Sequence, residues 1–216
     1  MLNVLKNLDW SKLTELLLRV IPVLICITIH ECCHGLCALA LGDKTARNAG
    51  RLSLNPIKHF DPLGFIMMPV PVDMRNFKNP KAGMALTALA GPASNMVLAA
   101  LAFFIYGLLY RPLISSEAGG YLLTMILLTA RLSISLGVFN LIPISPLDGS
   151  KVLFAVIPEK WYFKLMRYER YGIFILYALV FFSVLDVPLS YATGWVYGVL
   201  SNFAGFGFDL VGLFVK

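Results

Sequence analysis

Charge is what this sequence has little of. Asp, Glu, Lys and Arg make up 14% of its 216 residues, hydrophobic residues make up 58%, and mean hydropathy is +0.77. Soluble domains carry about a quarter charged residues, so a soluble globular protein is excluded and an integral membrane protein is expected. Histidine is almost absent, with only His30, His34 and His59. Cysteine is scarce and local: Cys26, Cys32, Cys33 and Cys37 lie in one apolar stretch. A disulfide framework spreads its cysteines along the chain to staple loops, so these read as free thiols. Long polar linkers, low-complexity tracts and internal repeats are also missing. The expected organisation is one membrane-embedded domain over 1–216, with no soluble regulatory domain. Its basic clusters lack a nucleic-acid-binding motif, and no nucleic-acid partner is expected.

What is there is a series of long apolar runs, and the fold class they imply is an all-α polytopic membrane protein with four to six transmembrane helices. Residues 1–12 read as an interfacial helix with Trp10 at headgroup level. Lys6 and Lys12 precede an apolar run in the manner of a secretory signal. That run continues past Gly35 without a small-residue cleavage site, so it reads as a retained span. The expected spans are 13–41, ending at Gly42, then 82–110, 121–141 and 172–189. The Gly-rich tail from 191 reads as a fifth span or a membrane-associated helix. Residues 47–72 are rich in Pro and Gly, with alternating pieces such as RLSL, and read as a re-entrant or β-like segment. The core is expected over 13–150 and C-terminal helices over 151–216.

Basic residues orient these spans. Lys44, Arg47, Arg51, Lys58, Arg75, Lys78 and Lys81 crowd the first loop, and Lys151, Lys160, Lys164, Arg167 and Arg170 crowd a later one. The turn 111–120 carries only Arg111. The positive-inside rule places the two crowded loops in the cytoplasm and the N-terminus outside. HECCHG (30–35) and PLDG (146–149) then lie at similar depth on the cytoplasmic side. Arg19 lies close enough to the outer interface to snorkel. Arg131 falls mid-span, where a cation needs a partner, either a carboxylate or backbone carbonyls.

HECCHG carries the chemistry. Residues four apart share a helix face, so His30 and His34 can aim both imidazoles at one ion. Glu31, turned about 100° away, can reach a water beside it. This is the H-E-x-x-H arrangement of a hydrolytic zinc site, which needs a third protein ligand and an open fourth position. Each ionisable group at membrane depth costs ~2.5–3.5 kcal/mol on insertion scales, and a metal offsets that cost for three groups together. A polar cluster satisfied by neighbouring helices is the alternative. Asp148 is a candidate third ligand at matching depth and equally a helix N-cap. His59 is a second candidate or an ordinary loop residue. Cys33 and Cys37 share the histidine face and read as a latent ligand, a redox sensor or simple helix packing.

HECCHG, NPIKHFDPLG (55–64), GPASN (91–95) and NLIPISPLDG (140–149) occur in the order found in the site-2 protease family of intramembrane zinc metalloproteases. Together they make the chain from about 30 to 150 resemble its small bacterial and archaeal members. Phe65 stands where Thr often follows the loop motif, and the two cysteines inside HECCH are unusual. The resemblance implies one Zn2+ held by His30, His34 and Asp148, with Glu31 as catalytic base. It assigns Asn140 a hydrogen bond to the substrate backbone or the developing oxyanion, and His59 and Asn95 supporting places near the site. It implies a protease domain in a bacterial or archaeal cytoplasmic membrane, acting on single-span membrane proteins by regulated intramembrane proteolysis. Control is expected from partner membrane proteins. With segment 47–72 it also suggests an edge strand near 51–55 that pairs with an unwound substrate. The rival classes are a membrane metal-ion or proton transporter and a non-catalytic relative that only binds membrane helices.

Overall fold

The computed structural model describes residues 10–59, 70–158 and 171–214. Four helices in it are long and apolar enough to cross a membrane: α1 (Trp10–Ala40), α3 (Pro80–Leu113), α4 (Glu117–Asn140) and α7 (Asp186–Phe214). The short α2 (Thr45–Asn48), α5 (Asp148–Val156) and α6 (Tyr171–Phe181) lie between them. Large apolar residues such as Leu36, Leu101, Phe174, Trp195 and Leu213 face outward. Such a surface suits hydrocarbon, and the protein is an integral membrane protein.

Local chemistry sets the helix ends. Gly42 (φ 106°) closes α1 as a Schellman cap, with Asp43 N donating to Ala38 O at 2.9 Å and Gly42 N to Leu39 O at 3.1 Å. Asn79 caps α3 by accepting from Ala82 N at 3.2 Å, with Pro80 at the first helical position. Ser116 caps α4 by accepting from Gly119 N at 3.1 Å. Trp10, Ser11 and Lys12 belong to α1 itself, and the rest of the expected interfacial helix lies outside the described residues.

The expected span 172–189 does not form as one helix. α6 stops at Phe181. Val184 N donates to Leu179 O at 3.0 Å and Ser183 N to Val180 O at 3.0 Å, with Ser183 at φ 56°. This is a Schellman cap built on a serine in the left-handed region. The next helix begins at Asp186, with Pro188 in its first turn. Among the described residues the fourth span is therefore the Gly-rich tail, α7.

α3 lies at the centre, packed by α1, α4, α5 and α7. Its core contact with α4 joins Ala99, Ala102, Phe103, Ala130 and Ile134. Close approach to α7 depends on small residues: a Cβ on Gly207 would meet Phe104 O at 2.5 Å and Leu108 N at 2.8 Å. α1 and α7 both pack on α4, while neither packs extensively on the other among the described residues.

The segment expected to be re-entrant or β-like is irregular, and no strand forms among the described residues. After α2 and Gly50 (φ 67°), the backbone makes local turns. Ser53 N donates to Arg51 O at 3.0 Å, Asn55 N to Ser53 Oγ at 3.2 Å and Ile57 N to Asn55 Oδ1 at 3.0 Å. These local bonds shape the stretch 51–57. The stretch 60–69, including most of NPIKHFDPLG, lies outside the described residues.

Asp43 fastens the loops to the end of α1. It is fully buried and accepts from Thr45 N at 3.0 Å, Thr45 Oγ1 at 2.5 Å, Asp73 N at 2.8 Å and Asn76 Nδ2 at 2.7 Å. Burial opposes its charge, but these donors outweigh burial and hold its carboxyl below the usual range.

Candidate metal centre

The helical spacing of four puts His30 and His34 on the face of α1 that meets α3. Their rings stand edge to face, with centroids 4.6 Å apart. The loop after α4 brings Asp148 to them from the start of α5. Leu147 occupies the N-cap position and Asp148 is the first helical residue, so the carboxylate does not cap the helix. It turns to the histidines. Gly149 permits the approach, because a Cβ there would lie 2.5 Å from Ile142 O.

All three side chains are buried. His30 Nε2 and His34 Nε2 are 3.0 Å apart, and each lies 3.1 Å from Asp148 Oδ2. The atoms form a nearly equilateral triangle. Tetrahedral ligands with bonds of about 2.0–2.1 Å have edges of roughly 3.3 Å, so the triangle is one slightly contracted face of such a tetrahedron. Two imidazoles and one carboxylate are also a donor set that zinc favours. The residues fit a metal ion.

Both rings are held from behind. His34 Nδ1 lies 2.7 Å from Thr87 O, and His30 Nδ1 lies 3.1 Å from the Asn95 amide. Asn95 is fully buried, and its other end reaches Ser133 Oγ at 3.5 Å. A histidine that offers its Nε2 lone pair carries its hydrogen on Nδ1. Thr87 O accepts that hydrogen from His34, while Asn95 sets its Nδ2 against His30 Nδ1 and its Oδ1 against Ser133 Oγ. Thr87 thus selects the tautomer of His34, and Asn95 holds the His30 ring in place. Gly91, in the same helix, lies directly under them: a Cβ would stand 2.5 Å from His34 Cε1 and 2.6 Å from His30 Cε1.

The triangle opens on a cavity of about 350 Å³ lined by Glu31, Val70, Thr87, Asn140, Pro146 and Lys151, among others. Glu31 is half-buried, and its Oε2 accepts from Val70 N at 2.9 Å. Asn140 uses one amide hydrogen on Leu136 O at 3.0 Å, and among the described residues its other hydrogen and its oxygen are available. Lys151 Nζ lies 3.6 Å from Asp148 Oδ1, the oxygen turned away from the histidines.

Of the residues singled out in the sequence, the structure brings together His30, Glu31, His34, Asn95, Asn140 and Asp148. His59 ends the 3-10 turn Pro56–His59, and its side chain lies outside the described residues. None of the cysteines joins the ligand group. Cys32 Sγ donates to Ser53 O at 3.0 Å and Cys26 Sγ to Thr129 O at 3.5 Å, which are packing roles. Gly91, Thr87 and Lys151 were not anticipated. Gly91 was signalled by GPASN and Lys151 by its place three residues after Asp148, whereas Thr87 acts through a backbone oxygen that any residue would supply.

Apolar-faced helices around a buried His-His-carboxylate centre, with a glutamate beside an open cavity, define a membrane-embedded metallopeptidase. The model of peptidase family M50 matches residues 113–185. The chain is 35% identical over 178 residues to "Putative zinc metalloprotease YwhC" of Bacillus subtilis, covering 77% of this chain and 80% of that protein. It is 29% identical over 191 residues to "Putative zinc metalloprotease Rip2" of Mycobacterium tuberculosis, covering 82% and 69%. The Rip2 protein of Mycolicibacterium smegmatis is 26% identical over 176 residues, covering 76% and 66%. No solved structure gives a significant match. The chain belongs to the M50 family of zinc metallopeptidases, the site-2 protease type, and its substrates are proteins.

Proposed function

We propose that this chain is an intramembrane endopeptidase that holds one Zn2+ through His30, His34 and Asp148 and cleaves peptide bonds in or near transmembrane helices. The observation that carries this reading is the triangle of ligand atoms 3.0–3.1 Å apart, opening on a cavity with Glu31 at its wall. Bound there, zinc would act as a Lewis acid toward a water and a substrate carbonyl. Glu31 takes the proton of the attacking water and returns it to the departing amine. The Val70 amide occupies Oε2 and fixes the carboxylate, so Oε1 is the oxygen that exchanges the proton. The free amide hydrogen of Asn140 points this residue to the substrate carbonyl oxygen, where a donor strengthens as negative charge develops. Thr87 holds His34 in the tautomer that presents Nε2, and Asn95 positions the His30 ring.

The substrates are single-span membrane proteins, whose segments must unwind before their carbonyls can be attacked, and regulatory membrane proteins would control the encounter. One membrane domain carries the site. The basic loops 42–82 and 150–170 orient it toward the cytoplasm, with the N-terminus outside.

The test is to incubate the purified full chain with a panel of single-span substrates and compare wild type with Glu31→Gln. Zinc bound by both, with cleavage by wild type alone, is the expected result. Wild type that binds zinc yet cleaves nothing across a broad panel would refute the protease reading. Proton or metal flux retained by Glu31→Gln in vesicles would favour transport.

A further inference from the structure

Arg131 has no role in the metal centre. It lies near the middle of α4, about 21 Å from the start of the helix and about 13 Å from Asn140 at its end, at 1.5 Å per residue. It is exposed, and its guanidinium lies 5.6 Å from the centre of the Tyr197 ring. Among the described residues no carboxylate or carbonyl accepts its hydrogens. A bare cation at this depth costs several kcal/mol, and one aromatic face offsets only part of that.

The surroundings point to what would complete it. Arg131 lines a crevice of about 340 Å³ with Ser135, Ser190, Thr193 and Tyr197. A second crevice of about 440 Å³ shares Ser135, Ser190 and Thr193 with the first and continues to Cys26 and Phe139. Cys26 is one helical turn from His30, and Phe139 adjoins Asn140. The two crevices form one groove, with α4 as its floor and α1 and α7 as its walls. The groove leads from Arg131 toward the metal centre. It is apolar except for the hydroxyls and the guanidinium, so it suits an apolar helix that carries one anionic group. Lipid phosphates lie at the interfaces, not at this depth.

We propose that Arg131 is a specificity subsite: it receives an Asp or Glu side chain within the substrate's transmembrane segment and sets the register in which that segment meets the metal centre. The inference rests on the protease reading above. The pair forms where water is scarce, so the carboxylate satisfies donors that the described residues leave open. The distance from Arg131 to Asn140 fixes the offset. Nine helical residues span it, and about four do so if the intervening substrate is fully extended. The bond cleaved therefore lies about four to nine residues from the acidic one.

The test uses full-length chain in phosphatidylcholine vesicles and a Leu/Ala single-span segment with one Glu moved residue by residue along it. Binding is read by energy transfer to Glu31→Gln chain, and cleavage sites are read by mass spectrometry with wild type. The expected binding maximum falls at one Glu position, about ten-fold above the segment without Glu, as a charge-assisted hydrogen bond implies. The cleaved bond moves with the Glu at constant offset. Arg131→Met removes the maximum, and Arg131→Glu shifts it to a segment carrying Lys. That gain excludes misfolding as the cause of the loss. Binding and cleavage indifferent to Glu position, or a maximum retained in Arg131→Met, would overturn the proposal. A binding maximum without any cleavage would refute the protease reading and leave the subsite intact. Labelled anionic lipid displaced by Arg131→Met, with segment binding unchanged, would assign the groove to lipid instead.

Discussion

Gly91→Ala adds one methyl group directly beneath the two histidine rings. That carbon would stand 2.5 Å from His34 Cε1 and 2.6 Å from His30 Cε1, about 1 Å short of ordinary carbon contact. The rings cannot simply retreat. His34 Nδ1 is bound to Thr87 O at 2.7 Å and His30 Nδ1 to Asn95 at 3.1 Å, both on the helix that carries the new methyl. Either α1 moves away from α3, or the rings rotate and break these bonds. Metal ligands tolerate displacements of about 0.2 Å, and losing a tautomer-fixing partner alone weakens a site about 10–100-fold. Zinc affinity should therefore fall at least that far. The overpacking itself should cost about 1–3 kcal/mol. Chelator competition on purified protein measures the affinity, and thermal unfolding with and without zinc separates the two effects. Gly120→Ala is the control, because a Cβ there meets nothing within 4 Å. Wild-type zinc affinity in Gly91→Ala would show that the rings do not rest on α3 at this point.

Other outcomes follow from the same geometry. Asn95→Ala should lower zinc affinity by about 10–100-fold while leaving the fold assembled, measured by chelator competition and by helix content from circular dichroism. Asn140→Ala should reduce kcat by about 10²–10³ with little change in zinc content, the outcome that the proposed oxyanion role requires of a donor acting only on charge that develops during reaction. Ser183→Gly should raise the unfolding temperature, since glycine relieves about 1 kcal/mol of left-handed strain at φ 56°. The Asp43 carboxyl is held below its usual range, so its contribution is present above about pH 4 and lost as pH falls further. Thermal unfolding against pH should show this acid loss, and Asp43→Asn should flatten it at a cost of about 1–3 kcal/mol at neutral pH.

The helical spacing of four in HECCHG placed both imidazoles on one face, and that inference needed no tertiary information. The end of α1 at Gly42 was equally plain, because a glycine after an apolar run offers the positive φ that a Schellman cap requires. Asp148 was harder. Its sequence context suits a helix N-cap as well as a ligand, and only the fold shows that Leu147 holds the cap position while the carboxylate turns to the histidines. The break after α6 is not legible in the sequence, because serine in the left-handed region is uncommon. The run 172–189 therefore looked continuous, and the Gly-rich tail looked too weakly patterned to be the span it is.

Composition and periodicity by themselves determined the membrane setting, the first three long helices and the shared face of His30 and His34, because each is a property of contiguous residues. The triangle of ligand atoms, the seat of the rings on Gly91 and the backing of His34 by the Thr87 carbonyl were decided only by tertiary structure. Those contacts join residues about 50 to 120 positions apart. Even the depth match between HECCHG and PLDG, which the charge pattern suggested, became a bonding distance only when α1, α3 and α5 packed together.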